Sequence, residues 1–231
     1  MTPRTDALPA PAEKREAVET MFDRIAPRYD LLNRMLTFRM DVGWRRTAVQ
    51  TLGLPAGARV LDIACGTGDF CRELRANGLA AVGTDFSAGM LASARTDAPL
   101  VRGDALQLPF ADAAFEGVTC GFALRNLTSL PEFFAECARV VRPGGRIAFV
   151  EVSEPSGAAA RAVHNIWFRK VVPMVGGLLS DRQAYAYLPA STAYLPGPMD
   201  LLLLIGGHGF AHVERRMLGF GAAQLLTGTR A

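Results

Sequence analysis

The chain has 231 residues, half of them apolar by type, with 25 Lys and Arg against 22 Asp and Glu and a formal charge of +3. That length and apolar share fit one α/β domain with a modest insertion, and they exclude a disordered chain. The slight basic excess excludes a strongly charged nucleic-acid binder and leaves a weak attraction to anionic surfaces.

Residues 1–12 are rich in Pro and Ala with no apolar run behind them, which predicts a disordered tail and no secretory signal. From Glu13 to Ile25, apolar Val18, Met21, Phe22 and Ile25 recur at helical spacing, so an amphipathic helix is expected to end near Pro27. A second helix should resume there with Leu31, Leu32, Met35 and Leu36 as its apolar members. The basic residues Arg39, Arg45 and Arg46 then bracket Trp44 before the loop at Gly53–Gly57. A packed cap with a solvated face competes here with a lid or a lipid-facing surface.

After Gly57 short apolar runs alternate with helical segments, the pattern of βαβ units and a parallel sheet. Strands are expected near Arg59–Ala64, Ala80–Thr84, Leu100–Arg102, Phe115–Gly121 and Arg146–Val152, with helices near Asp69–Ala76, Ser87–Ala94 and Pro131–Val141. Gly78 is placed to end the first of these helices, Ser87 to cap the second, and Pro131 to occupy the first turn of the third. Pro143, Gly144 and Gly145 should force the chain out of that helix. The segment 154–200 reads as a helical insertion with aromatic Trp167, Phe168, Tyr185, Tyr187 and Tyr194, and two last strands follow near Ala211–Met217 and Ala222–Thr229. The division is thus a tail (1–12) and a single domain (13–231). Within that domain lie a helical cap (13–56), a ligand-binding core (57–153), the insertion (154–200) and C-terminal strands (201–231). Val171–Leu179 and Leu201–Ile205 fall far short of the roughly 20 apolar residues that span a bilayer, so no transmembrane helix is expected. Cys65, Cys71, Cys120 and Cys137 match neither a zinc-ribbon spacing nor a redox pair, which fits a reducing cytoplasm.

The run VLDIACGTGDF, Val60–Phe70, sends an apolar strand into Gly66, Thr67 and Gly68 and then into a helix, so backbone amides face whatever lies across the strand ends. A tight turn that needs Gly for steric reasons is the competing reading. Asp85 ends the second strand at about the interval where dinucleotide folds place an acid on a ribose, although a helix-capping Asp before Ser87 would look the same. Asp104, in RGDALQLPF, is a second acid at a strand end, suited to an adenine amino group. The third glycine of the nicotinamide fingerprint is missing, which weakens a dehydrogenase reading.

The order DIACGTG, TDFS, GDALQLPF and VVRPGGRI, over roughly Arg59–Val152, resembles the class I methyltransferases that use S-adenosylmethionine (SAM). That resemblance implies a Rossmann-like α/β fold with a mostly parallel seven-stranded sheet, an N-terminal helical cap and a helical insertion. The runs MFDRIAPRYDLLNRMLTFRMDVGWRR and FALRNLTSLPEFFAECARVVRPGGR, with the strand VEVSEP, further resemble the UbiE/MenG/COQ5 family of quinol C-methyltransferases. By matching position it implies SAM contacts at Thr67, Asp85, Asp104 and Ala105. Asp62, which begins the glycine motif, would reach the methionine amino group through water or merely orient the loop, and Gly66, Gly68 and Phe86 complete the candidate cofactor contacts. Gly121 stands where members usually carry serine, so its contact would be lost or come from backbone. Thr37 and Asp41 stand where the family pattern prefers Ser and His, and a late His is missing.

The resemblance implies a prenylated quinol as acceptor, most specifically demethylmenaquinol, with another quinol or phenol of specialised metabolism as the alternative. A noncatalytic SAM- or quinone-binding module is a further reading. The expected partners are thus a small aromatic acceptor and no nucleic acid, in the cytoplasm with peripheral contact at the inner face of the membrane; no metal is needed for methyl transfer. Candidate catalytic residues are Arg125 and Asn126 after the fourth strand, Tyr29 in the cap and His164 in the insertion. Arg125, always protonated, suits a phenolate oxygen or an oriented water. An Arg paired with a carboxylate such as Glu132, a turn Asn, a packed Tyr and a structural His are the competing readings. Met174, Leu178 and Leu179 would line an isoprenoid tunnel or simply fill the core.

Overall fold

The apolar runs form strands β1 (Arg59–Ile63), β2 (Ala80–Asp85), β3 (Leu100–Arg102), β4 (Phe115–Gly121), β5 (Val141–Val152), β6 (Phe210–Leu218) and β7 (Ala223–Arg230). In the computed structural model, which describes residues 13–157, 161–162, 166–167, 172, 174 and 181–231, they make one sheet in the order β3-β2-β1-β4-β5-β7-β6. The side chains of 182, 183, 185 and 186 and the whole of the expected tail lie outside the described residues.

Strands β1 to β5 pair in parallel, and β7 runs antiparallel between β5 and β6. The mostly parallel α/β sheet expected from the alternation is therefore present. Val60, Leu61 and Ile63 are fully buried, as a strand covered by helices on both faces requires. From β1 the chain steps outward through β2 to β3, then returns to place β4 on the other side of β1. The connections leave the β1 and β4 ends in opposite directions, which opens a crevice at the carboxyl ends of the strands.

Helices α3 (Asp69–Ala76), α4 (Ala88–Ala92) and α5 (Leu130–Val140) fall where the sequence places them. Their punctuation is physical: the Ser87 hydroxyl accepts from the Met90 amide at 3.0 Å, Ser129 caps α5, and Gly78 leaves α3 at φ 76°. Two expectations change. Pro27 does not end the first helix, because α1 runs unbroken from Lys14 to Leu36. A proline removes the helical donor for the Asp23 carbonyl, but Val18, Met21 and Ile25 before it and Leu32 and Leu36 after it join one apolar cluster with Met90 and Tyr187. Packing on both sides outweighs the missing bond. The break comes instead at Phe38 and Arg39, both left-handed at φ 52° and 61°, before α2 (Met40–Leu52). Likewise β5 begins at Val141, paired with Phe115, and the Pro143-Gly144-Gly145 run is absorbed as a register shift before Arg146 meets Gly117.

Within segment 154–200 the described residues include α6 (Arg182–Ser191), and α7 (Pro198–Gly207) leads into β6. The core beneath the sheet centres on Phe133, Phe134 and Phe149, all without solvent exposure, with ring centroids 5.3 and 5.5 Å from Phe133. Replacing Phe149 with Ala removes the ring to which both α5 aromatics pack. A loss of about 3–5 kcal/mol in unfolding free energy by urea titration is the expected outcome.

Candidate active site

At the carboxyl ends of β1, β2 and β4, beneath α1, a cleft encloses about 830 Å³, part of it open to solvent. Its floor and walls include Gly66, Thr84, Asp85, Phe86, Asp104 and Ala105, with Gly121, Phe122 and Asn126 from the β4 side and Arg15, Phe22 and Tyr29 from α1. Asp85 is almost completely buried; its carboxylate accepts from the amides of Gly66 at 2.8 Å and Ser87 at 2.9 Å, which ties the glycine loop to the end of β2. Burial pushes its pKa up to about 6, against the pull of those amides. Asp104 pairs with Arg15 at 2.9 Å and accepts from the Leu106 amide at 3.0 Å, so α1 is fastened across the cleft.

Several expected contacts take other places. Thr67 does not line the cleft; its hydroxyl bonds the Asp30 carboxylate of α1. Gly68, at φ 84°, would put a Cβ 2.7 Å from Thr96, so it serves close packing of the loop. Asp62 is buried in the sheet and accepts from the Thr119 hydroxyl at 2.9 Å and the Cys71 thiol at 3.7 Å. Burial raises its pKa to about 7. Gly121 does face the cleft, and a Cβ there would lie 2.9 Å from the Phe70 ring.

A second cavity of about 900 Å³ adjoins the first, and Tyr29 and Phe122 line both. Its wall is aromatic and aliphatic, with Leu36, Phe38, Trp44, Trp167 and Leu188 among the lining residues. Three buried charged residues face it. Arg125 pairs with Glu151 of β5, donates to the Phe122 carbonyl at 2.7 Å and to Ser191 Oγ of α6 at 3.2 Å. Its partner is therefore Glu151, not the exposed Glu132, because the 3-10 turn Leu124–Asn126 folds back over the end of β5. Asp41 of α2 accepts from Arg45 at 2.6 Å and from Thr37 at 2.7 Å. Asn126 accepts from the Tyr187 hydroxyl at 3.2 Å, and burial raises the phenol pKa of Tyr29, opposed in part first by a hydrogen bond with Asn33 and then by Arg125 and Arg45. Met174 is largely exposed, while His164, Leu178 and Leu179 lie outside the described residues.

Sequence reasoning passed over Thr84 and the Asp41–Arg45 pair. Thr84 Oγ1, on the cleft wall, is a buried polar atom with no hydrogen-bond partner among the described residues. An unpaired buried hydroxyl is costly, so its presence fits a ligand that supplies a polar atom. The alternation of Thr84 with Asp85 at the strand end was the available signal.

The sheet order with its one reversed strand, the switch-point cleft and its two acids define a SAM-dependent methyltransferase of the class I fold. A SAM-dependent methyltransferase from Thermotoga maritima shares this fold with a TM-score of 0.66 at 20% identity, over 92% of this chain and 99% of that one. The chain belongs to the ubiE/COQ5 methyltransferase family, whose model matches residues 11–230. It is 42% identical to the demethylmenaquinone methyltransferase of Roseiflexus sp. (strain RS-1), covering 98% of each chain, and 42% identical to that of Thermus thermophilus over 91% of this chain and 100% of the relative. It is 37% identical to the ubiquinone/menaquinone biosynthesis C-methyltransferase of Geobacter sulfurreducens, over 94% and 90%.

Asp62 offers a test of the site's electrostatics. Its folded pKa lies above the ordinary value of 3.8, so its stabilising contribution is complete below that value and is lost as pH rises through about 7. Asp62→Asn keeps an acceptor for Thr119 without the charge. The variant should gain at least about 2 kcal/mol relative to the parent on going from a pH of about 3.5, below the ordinary value, to about 8, with part of that gain already present at about 5, read from urea midpoints. Equal shifts at both ends of that range would mean that Asp62 titrates normally.

Proposed function

We propose that the chain methylates a ring carbon of demethylmenaquinol, with SAM as donor. The observation that carries this reading is the pair of cavities meeting at Tyr29 and Phe122, one edged by acids at the strand ends and the other aromatic with buried ion pairs. The relatives at 42% identity, named demethylmenaquinone methyltransferases, support the same acceptor.

SAM, when bound, supplies a methyl group on a sulfonium, which a nucleophilic carbon takes as the sulfur–carbon bond breaks. In this reading Asp85 accepts from ribose hydroxyls, Asp104 and Ala105 meet the adenine edge, Thr84 pairs with a polar atom of the nucleoside, and Gly66, Phe86 and Gly121 line its path. Thr67, Gly68 and Asp62 act one step back, by fixing the loop. A quinol carbon becomes nucleophilic as the neighbouring hydroxyl gives its proton to solvent water, and the ring proton of the methylated carbon leaves to water when the ring regains aromaticity, so a fixed cation beside that oxygen lowers the barrier. We assign that cation to Arg125, held by Glu151 and Ser191. Asp41, fixed by Arg45, accepts from the other ring hydroxyl, and Asn126 and Tyr29 orient the ring between them. His164 carries no part of this assignment. The acceptor's prenyl tail lives in a bilayer, so the enzyme works at the cytoplasmic membrane surface; no helix among the described residues is long and apolar enough to cross it.

The deciding experiment incubates the protein with SAM and reduced demethylmenaquinone and reads the product mass. Menaquinol and S-adenosylhomocysteine are expected, and turnover of a simple phenol with an inert quinol would overturn the acceptor. In that assay Arg125→Gln with Glu151→Gln, which removes both buried charges together, should lower kcat at least about 100-fold and leave SAM affinity within a factor of about two. Loss of SAM binding as well would assign the pair to structure alone.

SAM affinity should itself depend on pH. Protonation of Asp85, with its pKa near about 6, removes the charge that accepts from the ribose. Calorimetry should show affinity about tenfold weaker at a pH of about 5 than at about 7, and Asp85→Asn should be weak and flat across that range.

A further inference from the structure

Among the large exposed apolar side chains, several lie on the segments that lead to the aromatic cavity. Leu31 is 70% exposed, Phe38 65% and Phe220 95%. Phe38 lines the aromatic cavity and stacks on Trp167 with ring centroids 4.7 Å apart, so it stands at the mouth. Leu31 and the half-exposed Met35 sit one turn apart on α1 and continue its stripe outward.

Phe220 is held out by construction. Gly219, Phe220 and Gly221 are all left-handed, at φ 53°, 57° and 93°. A Cβ on Gly219 would lie 2.5 Å from Trp44 Cζ2, and one on Gly221 2.9 Å from the Pro155 Cα. The tip of the β6–β7 hairpin is thus pressed against Trp44, itself a wall of the cavity, with its one large side chain pointed into water. A Phe in that conformation is strained as well as exposed.

Beside the stripe the surface is cationic. Arg34, Arg39 and Arg95 line a hollow shared with Leu31 and Met35, against the single carboxylate of Asp30, which bonds the Thr67 hydroxyl. Arg34 pairs with Asp69, while the guanidinium groups of Arg39 and Arg95 meet no carboxylate among the described residues. Apolar residues that enter the acyl boundary and arginines that meet lipid phosphates make the combination that binds an anionic bilayer surface.

We propose that Leu31, Met35, Phe38 and Phe220, flanked by Arg39 and Arg95, form a docking face for an anionic lipid bilayer, seated so that the mouth of the aromatic cavity opens onto the membrane. The proposal rests on the quinol reading only for its purpose: an acceptor with a long prenyl tail passes from the acyl region into the cavity without crossing water.

The test is co-sedimentation of the full chain with phosphatidylcholine vesicles, with and without phosphatidylglycerol, in the absence of any acceptor. Binding should require phosphatidylglycerol and weaken with salt. Leu31→Asp with Phe220→Asp should lower the partition coefficient at least about tenfold, and Arg39→Gln with Arg95→Gln should abolish the preference for anionic lipid. Both pairs of substitutions should leave methylation of a short-tailed, water-soluble quinol unchanged and slow methylation of a long-tailed quinol presented in vesicles. A parent that ignores anionic vesicles at low salt, or aspartate variants that bind as the parent does, overturns the proposal. So does sedimentation velocity showing a dimer that Phe220→Asp dissolves, which would give the face to a second copy of the chain. Vesicle binding that behaves as expected while no quinol is methylated leaves the docking face standing and removes the quinol reading.

Discussion

The ion pair between Arg125 and Glu151 is the interaction on which the two-cavity arrangement depends. Both side chains are buried, and two charges taken out of water are tolerated only where geometry and further hydrogen bonds offset the desolvation. Here the guanidinium also holds the Phe122 carbonyl and Ser191, and Glu151 also accepts from the Arg125 and Val152 amides. One pair therefore joins the turn after β4, the end of β5 and the last residue of α6. Phe122, the residue that separates the cleft from the aromatic cavity, is positioned by this junction. An apolar replacement would join the same elements without placing a fixed cation on the cavity wall, and that difference is what the proposed chemistry uses.

The cap is fastened by a different logic. Helix α1 crosses the carboxyl ends of the strands and is tied down at intervals by Lys14 to the Leu127 carbonyl, Arg15 to Asp104, Asp23 to Ser87 and Gly89, and Asp30 to Thr67. Each tie ends on a loop that borders the cleft. These are single polar contacts, several of them on exposed side chains, so each contributes modestly. The apolar cluster of α1 with Met90 and Tyr187 supplies the bulk of the attachment. That cluster runs from Val18 to Leu36, so the cap is packed along almost its whole length and the polar ties register it over the cleft.

How much of this was legible in the sequence depended on the range of the interaction. Short-range signals read well: the bounds of α3, β3 and β4, and the capping by Ser87, follow from residues a few positions apart. The order of the motifs placed Asp85 and Asp104 on one cleft for the same reason, since both sit at strand ends of a known βαβ succession. Pro27 misled because its local cost was judged without the packing on both flanks of α1, a tertiary term absent from any window of sequence. Arg125 was a candidate from the sequence and does line the aromatic cavity, but the carboxylate it pairs with lies 26 positions away on β5 and nothing in the spacing marks Glu151 over Glu132. The resemblance implied a ligand contact at Thr67, and Gly68 was a further candidate of the glycine loop; the Thr67 hydroxyl meets Asp30 on α1, 37 positions away, and Gly68 packs on Thr96, partners that no local spacing marks. Asp41 and Arg45, one turn apart, have the spacing of an ordinary surface ion pair; only the fold buries them against an aromatic wall.

The charges around the second cavity explain why its walls are otherwise apolar. On the proposed reading the acceptor must lose a proton to react, and an anion forming in a dry pocket is stabilised by fixed cations far more than in water. Arg125 and Arg45 both act on the buried Tyr29 phenol, opposing the effect of its burial, so their field reaches the boundary that the two cavities share. Each arginine is already partnered, by Glu151 and by Asp41, and this keeps the empty pocket close to neutral. A single unpaired cation there would trap any passing anion and would hold the ground state of the acceptor as tightly as its activated form, which yields no gain in rate. Paired cations do the opposite: a neutral quinol meets a balanced site, and Glu151, which lies behind Arg125 and outside the cavity lining, leaves positive potential on the cavity side to favour the oxygen as its charge develops.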